Sequence, residues 1–155
     1  MSEQENIQIV RRLIDNLNKH NLDANVQLLA NDVRTEATGS PGVMNTREQG
    51  QAYTQLFLDA FPDLHFDVKD MIAQGSKVAV SWIVKGTHSA ALRTPGGDSI
   101  PATNKRITIP GCTIYEFRNE LVSRQEIYWD QVTLLTQLEI PLEMVQASQS
   151  GRGMT

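Results

Sequence analysis

The order of its hydrophobic patterns predicts an α+β fold for this chain, with N-terminal helices packed on one face of a curved, cone-shaped antiparallel sheet. Three observations carry that expectation. Apolar residues recur at helical spacing up to Phe61, and from Leu64 to Gln131 the period changes to two. Breakers at Gly75-Ser76, Pro110-Gly111 and Asn119-Glu120 punctuate the second part. Bends at the first two would curve the sheet and leave a cavity between its concave face and the helices.

Taken in order, Ser2-x-x-Glu5 is a capping-box pattern, and Ile7, Val10, Ile14 and Leu17 follow at helical spacing, which predicts a helix over 3–19. His20 at its end reads as an exposed residue favoured by the helix dipole. Leu22, Val26 and Leu29 give a shorter helical turn, and 33–38 a short strand. Thr46-x-x-Gln49 repeats the capping signature before a helix over 46–61 whose apolar face includes Tyr53, Phe57 and Phe61; Pro62 ends it. Leu64, Phe66, Val68 and Ile72 then alternate with polar residues in a half-buried strand. The strand over 77–88 puts Val78, Val80, Trp82, Val84 and His88 on one face. Trp82 and His88 would lie about 20 Å apart on it, at opposite ends of one cavity. Residues 89–104 form the longest irregular stretch, expected to act as a mobile lid. Strands over 106–117 and 121–131 follow, the first bent at Pro110-Gly111, and 132–138 reads as a short helix. A single domain is expected over 1–141, with a disordered tail over 142–155 that lacks apolar periodicity.

Composition narrows the function. At 155 residues the chain can bury one core. A net charge of −4 without a Lys/Arg run argues against nucleic acid as partner. No stretch of about 18 apolar residues predicts a membrane span. The polar, acidic start is unlike a signal peptide, and the chain reads as cytoplasmic. Three scattered histidines and one cysteine argue against a metal site, and there is no Gly-rich phosphate loop, His-x-x-x-His pair or Gly-x-Ser-x-Gly elbow.

What remains is a pocket needing no cofactor, with the last strand as its most informative stretch. Asp130 follows Tyr128 and Trp129 at the end of that strand, where a desolvated carboxylate would serve as general acid or base. Asp is also a preferred N-cap, and a helix follows, so a capping role competes. Arg124, Glu126, Tyr128 and Asp130 share a face by alternation, taken here as the cavity face, whereas Ile127 and Trp129 with Ile83 would point outwards and support a homodimer. Glu126 lies about 13 Å from Asp130, too far for a carboxylate pair, and suits an ion pair with Arg124 or a neighbouring strand. Tyr53 is core by default, its hydroxyl reaching the pocket in the minority reading.

Phe61-Pro62-Asp63-Leu64, Asp70-Met71-Ile72-Ala73, Lys77-Val78-Ala79-Val80-Ser81-Trp82, Gly86-Thr87-His88 and the ending Tyr128-Trp129-Asp130-Gln131 with Leu134-Leu135-x-Gln137-Leu138 together resemble the SnoaL-like polyketide cyclases. These form the ester cyclase branch of the nuclear transport factor 2-like (cystatin-like) superfamily. The resemblance implies a conical α+β barrel, dimeric, catalysing cofactor-free aldol ring closure on a hydrophobic carbonyl compound, or a related isomerase or lyase reaction. It assigns the acid/base role to Asp130 and a catalytic role to His88; Trp82, Tyr53, Tyr128 and Glu126 are the residues expected around the substrate. Glu126 stands where many relatives carry tryptophan, and Ala90 where glycine is common. A non-catalytic module of the same fold, binding a small apolar ligand or supporting dimerisation, is the alternative. The expected partners are a small hydrophobic molecule and a second copy of the chain.

Overall fold

The computed structural model describes residues 2–40, 42–94 and 97–141. Helix α1 spans Glu3–Asn18, and its capping box forms in full: the Ser2 side chain accepts from Glu5 N–H while the Glu5 carboxylate reaches back to Ser2 N–H. A 3₁₀ helix, Leu22–Leu28, leads into β1 (Leu29–Ala37). Helix α2 (Arg47–Ala60) is capped by Thr46, which accepts from Gln49 N–H at 3.1 Å; the Gln49 side chain accepts from Asn45 N–H, one residue before the cap. Strands β2 (His65–Gln74) and β3 (Lys77–Thr87) form a hairpin. The two-residue strands β4 (Leu92–Arg93) and β5 (Ser99–Ile100) form a second, small one. Strands β6 (Arg106–Arg118) and β7 (Leu121–Trp129) meet at Asn119-Glu120, both at positive φ (53° and 69°) as a two-residue hairpin turn demands. Helix α3 (Gln131–Gln137) follows.

The five long strands make one sheet in the order β1-β7-β6-β3-β2, all antiparallel except for β1, which runs parallel to β7. Helices α1 and α2 lie against its concave face, so the predicted α+β class with a curved sheet and N-terminal helices is the one observed. Val10, Phe61, Val78, Val80 and Val122 are wholly buried between the layers. Truncating a buried phenylalanine such as Phe61 costs about 3–5 kcal/mol, so this layer contact is a main source of stability.

Several expectations are corrected. Pro110-Gly111 does not break the register: β3 pairs with β6 without interruption from Lys77↔Glu116 to Thr87↔Arg106. Gly111 instead leaves room for a ring, since a Cβ there would collide with the Trp82 indole. Besides a register shift between Leu29 and Arg34 in β1, two bulges lie elsewhere, between Val68 and Asp70 in β2 and opposite Glu116/Phe117 in β7, where Arg124 and Val122 pair on either side of Ser123. Each inserts one residue and inverts the alternation beyond it. In β2 this turns Met71 and Ala73 towards the core and leaves Ile72 65% exposed. The stretch 89–104 is not wholly irregular, because β4 and β5 lie in it, Leu92 is buried in the core and Ala90 N–H donates to the Ala60 carbonyl at the end of α2. The expected tail over 142–155 lies outside the described residues.

Candidate functional site

The inward side chains of β3, β6 and β7 and the facing sides of α1, the 3₁₀ helix and α2 line a partly open cavity of about 170 Å³. Its walls are mostly apolar, and aromatics mark two sides. Tyr53, Phe57 and Trp129 form edge-to-face pairs at 5.2 and 5.7 Å, and Phe66 meets Trp82 the same way at 5.0 Å. Buried Trp82 donates its indole N–H to Thr113 Oγ1 at 3.0 Å, which satisfies the only polar atom of that ring. Gln125 donates to Thr35 Oγ1 at 3.1 Å across β7 and β1.

Among the expected substrate-binding residues, Trp82 and Tyr53 line the cavity. Tyr53 donates to the Thr38 carbonyl at 3.4 Å; burial raises the pKa of its phenol, and a hydrogen bond from Trp129 opposes the rise. Tyr128 and Glu126 do not belong to the cavity. Beyond the Ser123 bulge it is Gln125, Ile127 and Trp129 that turn inwards, and Arg124, Glu126 and Tyr128 that take the convex face. There Glu126 pairs with Arg124 at 3.0 Å and accepts from Tyr128 Oη at 2.6 Å, while Arg124 also reaches Glu36 at 3.5 Å. Donating to that carboxylate raises the Tyr128 pKa. The ion pair of Glu126 with Arg124 is the one expected. The outward placement of Ile127 and Trp129 is overturned with the face assignment.

Asp130 lies at the strand end as expected, but its exposed carboxylate is occupied as the N-cap of α3. It accepts from Val132 N–H at 2.9 Å, from Thr133 N–H at 3.4 Å and from Thr133 Oγ1 at 2.9 Å. The Thr133 hydroxyl first, then these backbone N–H groups, hold its pKa below the ordinary Asp value. A general acid in a dry pocket would show the opposite shift.

His88 is fully buried yet does not line the cavity. It stacks on Phe61 with ring centres 5.2 Å apart, and Phe61 itself forms part of the cavity wall. Thr103 N–H donates to its Nδ1 at 3.2 Å, which leaves the proton of the neutral ring on Nε2. Burial lowers its pKa. The motif around it is tied to the other end of the resemblance: Asp63 accepts from Thr87 N–H at 2.7 Å and from Thr87 Oγ1 at 2.9 Å, and a Cβ on Gly86 would press on Phe61 and Leu64 at 3.2 Å. Phe61-Pro62-Asp63-Leu64 and Gly86-Thr87-His88 are therefore two halves of one packed corner. The structure thus brings Trp82 and Tyr53 together in the cavity and leaves His88, Asp130, Glu126 and Tyr128 outside it.

Sequence reasoning missed Arg47, Gln125 and Trp129 as cavity residues. Trp129 was missed because the face of Asp130 was taken as the cavity face, although Ile127 and Trp129 form the more apolar side of the same alternation, and Arg47 reads in sequence as an ordinary first-turn residue. The lining holds one cation, Arg47, several neutral hydrogen-bonding groups, and no carboxylate or imidazole among the described residues. Such an arrangement can bury an apolar molecule and orient a polar tip. No His/Cys/Asp/Glu cluster that could hold a metal ion occurs among the described residues, and no helix there is long and apolar enough to cross a membrane.

The fold recurs in solved structures. A SnoaL-like protein from Jannaschia sp. CCS1 superposes with a TM-score of 0.78 at 20% identity, over 90% of this chain and 94% of that one. IdmH from Streptomyces antibioticus gives 0.72 at 22% identity, over 87% and 99%. An NTF2-like protein from Burkholderia pseudomallei K96243 gives 0.68 at 18% identity, over 89% and 98%. No curated protein has a significant sequence match to this chain. At these identities the structures establish the NTF2-like fold. The model of the SnoaL-like polyketide cyclase family matches residues 7–138, nearly the whole described domain, and the chain belongs to that family.

Proposed function

We propose that the protein binds a small hydrophobic carbonyl compound in the cavity and orients its oxygen with a hydrogen-bond donor of the lining. The observation that carries this reading is the lining itself, apolar on most sides and without a carboxylate or imidazole. An apolar cavity of about 150 Å³ takes up one benzene ring, so about 170 Å³ suits a single ring with a short substituent. Tyr53 supports orientation more than proton abstraction, because burial raises its pKa and keeps the phenol protonated at neutral pH. Calorimetric titration with acetophenone tests the reading. Binding is expected, and Trp129→Ala, which removes a wall, should weaken it by about tenfold or more. Absence of binding at millimolar ketone would overturn it.

A second reading, cofactor-free aldol ring closure with Asp130 as acid/base, is favoured by one observation. Asp130 directly follows cavity-lining Trp129 and occupies the position to which the family resemblance assigns that role. Its carboxylate is exposed, so a rotation away from its cap meets no packed side chain of a core. Under this reading, β-keto methyl esters that carry a second ketone five or six carbons along the chain and are small enough for the cavity are cyclised: the carbon acid gives up its proton, bonds to that ketone carbon, and the oxyanion is protonated; Asp130→Asn lowers the rate by about 100-fold or more. Because Asn also caps helices, the melting temperature should stay within about 5 °C. Turnover undiminished in Asp130→Asn, or absent from the parent protein across the panel, counts against it.

A further inference from the structure

We propose that Arg47 makes the cavity a receptor for an anion: its ligand is a one-ring or similarly compact apolar molecule carrying a carboxylate. The inference rests on the cavity being the ligand site and adds the charge of what it takes. Among the described residues, Arg47 is the only charged one in the lining, and no carboxylate lies within ion-pair distance of it. One bond is accounted for, Nη1 to the Val26 carbonyl at 2.9 Å, which ties α2 to the 3₁₀ helix. Guanidinium offers five N–H donors in a planar fork, so that strap leaves most of them unused. The Nε–H is shielded from solvent and has no partner among the described residues.

The other polar lining groups are engaged within the protein. Asn25 bonds Asn16 and the Leu13 carbonyl, Gln51 the Leu22 carbonyl, Thr54 the Gly50 carbonyl, Gln125 bonds Thr35, and Trp82 bonds Thr113. An unneutralised cation on an otherwise apolar wall, with a buried unmatched donor, is complementary to a carboxylate accepting from the guanidinium edge. The cavity volume of about 170 Å³ suits an apolar remainder of about one ring.

The test is a calorimetric comparison of 4-ethylbenzoate with its neutral near-isostere 4-ethylbenzamide. The parent protein should bind the benzoate at least about tenfold more tightly, as a charge-assisted pair with a half-buried guanidinium requires. Arg47→Gln should abolish the preference by weakening the benzoate about tenfold or more. Equal affinities in the parent, or a preference that survives in Arg47→Gln, would overturn the anion assignment and leave the cavity reading standing. If neither compound binds, both readings fall. Should Arg47→Gln lose its fold along with the Val26 bond, the unsubstituted protein still decides: its Arg47 Nε–H resonance should move on adding 4-ethylbenzoate and stay put with 4-ethylbenzamide. A stationary resonance with benzoate bound would overturn the proposal.

Discussion

His88 is the most deeply buried titratable side chain that the fold does not pair with a charge, held between the Phe61 ring and Thr103. Burial puts its pKa below the usual 6.5, so between the folded and the unfolded value only the unfolded chain takes the proton. The stability contributed by the neutral ring is complete above about pH 6.5 and is lost as the pH falls from there towards the folded value. The melting temperature should therefore drop between pH 7 and pH 5, and the drop should be smaller in His88→Asn. Equal slopes in the two proteins would mean that His88 contributes nothing to the acid response. Asp63 and Asp130, whose pKa values are also lowered, act in the same direction but below the ordinary carboxylate range, and so leave that window clear. At this scale the sequence was legible in type more than in place. A carboxylate ending a strand before a helix announced both a cap and an acid, and the hydrogen bonds to Val132 and Thr133 decide where it points.

The elements themselves were readable because their signals are local. Capping residues, turn residues and the change from helical to strand period each depend on a few neighbours, and they located α1, α2 and the long strands to within a few residues. The face of β2 was not readable, for a physical cause. A bulge is one extra residue in a ladder, visible only against the partner strand, and it moves every later side chain to the other face. The bulge accounts for the wrong face of Ile72; that of Glu126, Tyr128 and Trp129 came from placing the Asp130 carboxylate inside the cavity, where it is instead an exposed helix cap. The parallel pairing of β1 with β7 was likewise hidden, since it joins segments from opposite ends of the domain. The bulge in β2 gives a direct check. Ile72→Thr should change stability by no more than about 0.5 kcal/mol, whereas Met71→Asp, which puts a charge against the core, should cost about 1–3 kcal/mol. Urea unfolding of the two variants would show the opposite order if the simple alternation held through residue 69.

At the scale of the whole molecule, we propose that a second copy would sit on the convex face of the sheet. The register sets Ile72, Ala79 and Ile114 in one row across β2, β3 and β6, next to the charged network of Glu36, Arg124 and Glu126. Ile72 stands 65% exposed in that row, and an apolar row bordered by charges has the character of an interface core with a polar rim. The expected state is a homodimer, with a mass by light scattering of about twice 17.3 kDa. A monomer at micromolar concentration would rule it out. Ile72→Lys should shift the mass towards the monomer without unfolding the chain, because the side chain is outside the core.

The placement of the indoles has an optical consequence. The chain has two tryptophans, Trp82 and Trp129, and both border the cavity, one on β3 and one at the end of β7. Its ultraviolet emission therefore originates from two walls of a single chamber. Anything that enters the chamber passes beside both emitters, so the colour and intensity of the intrinsic fluorescence report occupancy without any label.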